Sequence, residues 1–160
     1  MTKLLLSLHV LAAVLAIGPV AVAASMFPAA LRRATGAAGA PGDHDALANL
    51  RLLHRVCRVY AAVGTAVPVL GFFTADSLGV LGSGWLIASI VLTTAAAAVL
   101  ALLILPGQDA ALIALQEPEQ GRAPAARSAA RLAMLTGVFN LLWATVTVLM
   151  IIRPGSTTGA

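Results

Sequence analysis

Residues 4–24 read LLLSLHVLAAVLAIGPVAVAA, an apolar run without Asp, Glu, Lys or Arg, in which His9 is the one ionisable side chain. A helix that crosses the hydrocarbon of a bilayer needs about 20 predominantly apolar residues, so this run is long enough to span a membrane. Three similar runs follow, and together they predict spans at residues 4–27, 52–74, 85–105 and 132–152. The predicted fold class is all-α: a single transmembrane domain, residues 1–160, built as an up-and-down four-helix bundle.

The first run also has an alternative reading as a secretory signal peptide. Lys3 would supply the basic start, and Ala21-Val22-Ala23 would be the cleavage site. Because the apolar run continues past that site through Phe27, we favour a membrane span.

The composition is typical of a membrane protein, because 60% of the 160 residues are hydrophobic and only 10% are charged. We attribute the net charge of +4 to basic residues beside anionic lipid headgroups, so we predict a lipid partner and no nucleic acid. The single cysteine, Cys57, excludes an intramolecular disulfide. The sequence shows no phosphate-binding glycine loop, no metalloprotease helix motif and no paired intramembrane carboxylates, so no catalytic residue is predicted.

The basic residues are distributed unevenly between the two sides of the membrane. One side holds five arginines in the first loop and the start of the second helix, and three between the last two spans: Arg32, Arg33, Arg51, Arg55, Arg58, Arg122, Arg127 and Arg131. The other side holds only Lys3 and Arg153. Because loops rich in Lys and Arg stay in the cytoplasm, we predict that both long loops are cytoplasmic and both termini lie outside. Arg51, Arg55 and Arg58 are spaced i, i+4, i+7, so they form one stripe that is predicted to contact lipid headgroups.

Small side chains at helical spacing predict the packed faces, because helices in lipid associate through close backbone approach and interhelical hydrogen bonds. The residues predicted to face inward are His9, Ala12, Ala13, Ala16 and Ala23 on the first span, Cys57, Ala61, Gly64, Pro68 and Gly71 on the second, and Ala133, Gly137, Asn140, Ala144 and Thr147 on the fourth. Larger residues such as Leu11, Val63 and Val146 are predicted to face lipid.

His9 is the strongest functional candidate, since an ionisable group inside a span is costly and by default raises a functional hypothesis. A neutral imidazole can ligate haem iron or another metal, or pass a proton. The alternative is structural: His9 points into the bundle and hydrogen-bonds a neighbour at its own depth, with Ser89 and Thr147 as the leading partners. Asn140, near the middle of the fourth span, is predicted to make an interhelical hydrogen bond.

A second histidine, His54, lies three residues before Cys57 and downstream of Asp43-His44-Asp45, a set that could ligate a metal. Helix capping and loop solvation explain the same residues, so we predict no metal site there. His54 and His9 cannot share one iron, because the rise per residue separates them by about 20 Å along the membrane normal. A b-type haem would therefore need His9 with a non-histidine ligand, or two protomers.

Three stretches resemble a known family. LLLSLHVLAAVLAIGPV, WLIASIVLTTAAAAVLALLILP and VTVLMIIRPG together resemble the bacterial predicted integral membrane proteins of domain-of-unknown-function family twenty-two sixty-nine, over most of the chain. That resemblance implies a four-span protein without an assigned activity. The first span is also loosely similar to the copper-resistance CopD-like proteins and the HemJ-type protoporphyrinogen oxidases, where a first-span histidine is implicated in haem or metal handling. Only His9 carries over, since the intramembrane lysine of the HemJ type and the Met- and His-rich outer loops of the copper type are missing from this sequence.

Two hypotheses for the function follow. The first is an integral protein of the bacterial plasma (inner) membrane that acts as a non-enzymatic component or accessory subunit, without a cofactor, as a homo-oligomer or within a larger complex. The second is a haem- or metal-binding membrane redox protein that uses His9.

Overall fold

The computed structural model describes residues 2–36, 44–116 and 122–155. Its elements are α1 (Thr2–Ala34), α2 (His44–Gly64), α3 (Ala66–Leu78), α4 (Gly84–Ala98), a π-helical segment (Val99–Ile104), α5 (Leu105–Ala114) and α6 (Arg122–Ile152). Four helical stretches in this part of the chain are long and apolar enough to cross a membrane: Thr2–Ala34, Asp45–Leu78, Gly84–Ala114 and Arg127–Ile152. The predicted all-α class and the four spans are therefore confirmed.

The four spans pack in a ring. The first span contacts the second and the fourth, the third contacts the fourth, and α5 at the end of the third contacts α2 of the second. We call the end of the ring that holds Ala34, His44, Ala114 and Arg122 the loop end, and the end that holds Thr2, Leu78, Gly84 and Ile152 the terminal end. The largest fully buried apolar side chains lie between the middle of the bundle and the loop end: Phe27, Leu31, Leu50, Ile104 and Phe139.

The terminal end is closed between α3 and α4 by a glycine turn. Gly79 has a φ of +67°, a left-handed conformation that glycine adopts without steric cost. Its N–H donates to the Asp76 carbonyl at 3.0 Å, and the Val80 N–H donates to the Ala75 carbonyl at 3.1 Å. These two bonds satisfy carbonyls at the end of α3 in the manner of a Schellman motif. The turn therefore fixes where α4 begins, and Trp85 opens the third span as predicted.

Two of the differences from the predicted helix boundaries occur at prolines. The second span is interrupted at Thr65, between α2 and α3, because Pro68 has no N–H to continue the ladder across that turn. The third span was predicted to end at residue 105, because Pro106-Gly107 follows, and that prediction is wrong, because the helix continues to Ala114. Pro106 comes directly after the π-helical segment, where the Leu105 N–H donates to the Leu100 carbonyl, and this wider turn makes room for the proline ring within a continuing helix.

The predicted faces hold for the first span and largely for the second. Ala16 and Ala23 are buried, whereas Leu11 is 57% exposed, so the small-residue face of α1 is the packed one. On the second span the side chain of Cys57 is fully buried and Val63 is half exposed, as predicted. Pro68 is exposed, although it lines a cavity between α1, α3, α4 and α6.

The predicted face of the fourth span is wrong. Ala133, Gly137, Ala144 and Thr147 are exposed, and a Cβ added at Gly137 would meet no atom within 4 Å. The buried residues of this helix lie on an adjacent face and most of them are larger: Ala129, Leu132, Thr136, Phe139 and Val146. Small residues allow two backbones to approach closely, but their presence at helical spacing does not by itself bring a neighbouring helix onto that face.

The signal-peptide alternative does not fit this packing. Ala23 and Ala24 lie inside the continuous helix α1, and both are buried in the same core as Phe27. Cleavage after Ala23 would divide a helix that contacts α2, α3 and α6.

Candidate functional site

A cavity of about 980 Å³ lies at the terminal end of the bundle, between α1, α3, α4 and α6. It exists because α3 packs closely against α1 but makes few contacts with α4 and α6. Most of its lining is aliphatic or aromatic. Its polar side chains are His9, Thr74, Ser89, Thr93, Thr94, Thr147 and Arg153, together with the indoles of Trp85 and Trp143. The three residues that the sequence singled out at this depth, His9, Ser89 and Thr147, therefore line one cavity.

His9 points into the bundle, as predicted, but its partner is not the predicted one. Its Nδ1 lies 3.0 Å from the backbone carbonyl of Val67 on α3. A carbonyl only accepts, so Nδ1 donates, and in the neutral ring Nε2 then carries the lone pair. The ring also lies against Gly71, where an added Cβ would come within 2.9 Å of Cε1. His9 is thus held in one orientation by α3, with Nε2 as an acceptor or a metal ligand.

Ser89 and Thr147 do not bind His9, so that part of the prediction is wrong. The Ser89 hydroxyl donates to the Trp85 carbonyl at 2.8 Å, and the Thr147 hydroxyl donates to the Trp143 carbonyl at 2.9 Å. Each hydroxyl donates to a carbonyl one turn earlier in its own helix, which Ser and Thr in membrane helices often do instead of bonding a neighbouring helix.

Arg153 lies at the terminal edge of the cavity, just after α6. Its φ of +46° is left-handed, which is unusual for a residue with a side chain. The side chain folds back so that Nε donates to the Met150 carbonyl at 3.3 Å, and the guanidinium lies 5.7 Å from the centre of the Trp85 ring. The guanidinium therefore packs on the ring of Trp85, the residue at the start of the third span. Sequence reasoning counted Arg153 only for its charge, although an arginine before Pro-Gly and a tryptophan at the start of a neighbouring span were both visible.

A buried polar network lies nearer the loop end and joins α2 to α5. His54 Nδ1 lies 3.0 Å from Gln108 Oε1, and Gln108 Nε2 lies 3.7 Å from the sulfur of Cys57. His54 Nε2 lies 2.9 Å from Asp109 Oδ1, close enough for an ion pair although it lacks hydrogen-bond alignment. His54, Cys57 and Gln108 are all buried. Sequence reasoning missed Gln108 and Asp109, because it ended the third span before them.

Asn140 makes an interhelical hydrogen bond of the kind predicted. Its Nδ2 donates to the Ser25 hydroxyl on α1 at 3.2 Å. Four residues earlier, the Thr136 hydroxyl donates to the Ala24 carbonyl at 3.4 Å. These two bonds join the fourth span to the first in the middle of the bundle, which is a structural role.

The arginine stripe is placed on the surface of α2. Arg51, Arg55 and Arg58 are all exposed, and a shallow cavity of about 440 Å³ is lined by Arg55, Arg58 and His54. Contact of this stripe with lipid headgroups stays a prediction. In the described residues no group of three His, Cys, Asp or Glu side chains is close enough to hold a metal, and Asp43 lies outside those residues.

The fold and these contacts define a four-span integral membrane protein with a cavity between its helices at one end. The family model for a predicted integral membrane protein, DUF2269, matches residues 3–154, and the chain belongs to that family. This is the family that the sequence resembled. Searches of curated proteins and of solved structures returned no match.

Proposed function

We propose that this protein is a non-enzymatic component of the bacterial plasma membrane that holds a largely apolar ligand in the terminal-end cavity. The observation that carries the proposal is His9, whose Nδ1 is bound to the Val67 carbonyl while Nε2 remains for a ligand in the cavity that the ring lines. Ligand sites are typically concave, mostly apolar and provided with a few placed polar groups.

The size and chemistry of the cavity support binding. Its volume of about 980 Å³ lies at the upper end of the usual range for ligand pockets, about 300–1,000 Å³. The hydroxyls of Thr74, Ser89, Thr94 and Thr147 donate within their own helices, so they offer a ligand only their lone pairs. An apolar ligand with a donor for His9 Nε2 fits this lining.

The second candidate is a b-type haem, and one observation favours it. A histidine that ligates a metal usually donates its other ring N–H to a carbonyl or carboxylate, which is the arrangement of His9 with Val67. Met150, another residue of the lining, carries a thioether that is a known axial ligand of haem iron. Haem bound there would supply one-electron chemistry, and the residues of this chain would position it and exclude water.

One purified sample separates these candidates. We expect the protein, extracted gently from the membrane, to be colourless and to carry a bound organic molecule in its native mass spectrum. His9→Leu should lose that molecule and His9→Gln should retain part of it, since an amide still donates and accepts. A Soret band abolished by both substitutions would establish the haem, and a colourless protein without any bound molecule would contradict both candidates.

The orientation in the membrane is a further part of the proposal. The excess of arginine at the loop end favours a cytoplasmic loop end, with the stripe of Arg51, Arg55 and Arg58 beside anionic headgroups. A second copy or a larger complex would meet the exposed small-residue face of α6.

We test the orientation with single cysteines in a Cys57→Ala background. A cysteine replacing Asp76, in the exposed last turn of α3, should react in intact cells with a thiol reagent that cannot cross the membrane. A cysteine replacing Arg33, at the exposed end of α1, should react only after the membrane is opened. The reverse pattern would reject the proposed orientation.

A further inference from the structure

We infer that the ligand of the terminal-end cavity is an acyl lipid with an acidic head group, whose anionic group lies at Arg153 and whose chain runs down to the level of Trp143. This inference rests on the proposed function, because it names the class of molecule that the cavity takes. Three independent features carry it: the depth of the cavity, the charge at its edge and the largely apolar lining between its two ends.

The depth of the cavity matches one leaflet of a bilayer. Trp143 and Arg153 both line it, and they are ten positions apart, from the middle of α6 to the residue just after its end. At 1.5 Å per residue the cavity extends about 15 Å along α6, which is about half of the roughly 30 Å hydrocarbon core. An acyl chain whose head group lies at the membrane surface would therefore reach the floor of the cavity without leaving the leaflet.

The positive charge of Arg153 at the edge of the cavity favours a ligand with an anionic group. Arg153 and His9 are the only ionisable side chains in the described lining, and no acidic side chain is among them. A guanidinium presents several donors in a planar fork, which suits the two oxygens of a carboxylate or phosphate. The contacts of Arg153 with Met150 and Trp85 hold this cation at the terminal end of the cavity. Asp76 lies in the last turn of α3 but is exposed and does not line the cavity.

The lining below Arg153 suits an apolar chain. By the rise per residue, Thr147 lies about 9 Å below Arg153 on the fourth span, and its hydroxyl is already bound within α6. Most of the other lining residues are aliphatic or aromatic, so an apolar chain would meet few unpaired polar groups. His9 Nε2 offers one acceptor to a hydroxyl or amide that the lipid carries at about the depth of Thr147.

The tryptophans of the protein can report binding of this ligand by their fluorescence. Its two tryptophans, Trp85 and Trp143, both line the cavity, one at each end of the proposed chain path. Energy transfer from tryptophan to a polyene fatty acid, parinaric acid, should therefore measure occupancy directly. The methyl ester of the same acid is a matched probe that lacks only the charge.

We expect the acid to bind the wild-type protein about fivefold more tightly than its ester, the effect of one basic residue beside an anionic group. Arg153→Gln should remove this preference while leaving ester binding unchanged. Lys3→Gln, at the same end of the bundle but outside the lining, should keep the preference. Phosphatidylglycerol in nanodiscs should displace the acid better than phosphatidylcholine, whereas inorganic phosphate should not displace it.

The outcomes separate this inference from the proposed function. Equal binding of acid and ester by the wild-type protein, or a preference that survives Arg153→Gln, would overturn the acidic lipid while leaving a cavity ligand in place. No energy transfer from either probe, together with no bound molecule in the native mass spectrum, would overturn both. Displacement of the acid by inorganic phosphate alone would show an anion site without an acyl chain, and would also overturn the inference.

Discussion

Replacing Gly71 by alanine should lower the free energy of unfolding by about 1–3 kcal/mol, the usual cost of overpacking a close contact. The new methyl carbon would come within 2.9 Å of His9 Cε1 and 3.3 Å of Nδ1, so the ring has to move. That movement also breaks the hydrogen bond from His9 to the Val67 carbonyl. This bond joins α1 to α3, two helices that are far apart in sequence. The measurement is unfolding of the purified protein in detergent.

A matched variant and a double-mutant cycle make this test specific. Gly137→Ala adds the same methyl group where no atom lies within 4 Å, so it should be neutral or slightly stabilising. His9→Ala in the Gly71→Ala background should restore part of the stability, because the clashing ring is gone and the two effects are not additive. Additive effects of the two substitutions would show that Gly71 and His9 do not meet.

Replacing Gln108 by leucine should destabilise the protein by about 1–3 kcal/mol, because it removes the acceptor of a buried histidine. Gln108 is 1% exposed, and its Oε1 lies 3.0 Å from His54 Nδ1. Leucine has a similar size but cannot accept, so the imidazole N–H would stay buried without a partner. The same unfolding measurement in detergent applies.

Gln116→Leu is the control for that substitution. Gln116 lies just past α5 and is exposed, so its loss should change stability by less than about 0.5 kcal/mol. Equal effects at both positions would show that the network of His54, Gln108 and Cys57 does not stabilise the contact between α2 and α5.

Hydropathy predicted the spans because the cost of leaving polar groups in hydrocarbon is large and acts on every residue of a run. Small residues at helical spacing predict the packed face of a helix less reliably than hydropathy predicts a span. On α1 the prediction succeeded, because the small face packs closely on α2 and α3. A Cβ added at Gly64 of α2 would lie 3.9 Å from the Ala16 methyl carbon. On α6 most of the small face is exposed, although Asn140 bonds Ser25 on α1, because a small residue permits a close approach without requiring one.

The site could be predicted only in part. The position of His9 within an apolar run indicated an inward side chain, but its partner is the backbone carbonyl of Val67, and the side-chain pattern of a sequence does not mark such an acceptor. Gln108 was missed because Pro106 was taken as the end of a helix that in fact continues. The cavity itself depends on how far α3 stands from α4 and α6, a tertiary distance that no local pattern encodes.

The most direct test of the central claim is a density map of the protein in a lipid nanodisc. We predict an elongated density inside the terminal-end cavity, running from Arg153 toward Trp143 and passing within hydrogen-bond distance of His9 Nε2. A cavity closed by movement of α3 onto α4 and α6, with no room left beside His9, would contradict the account.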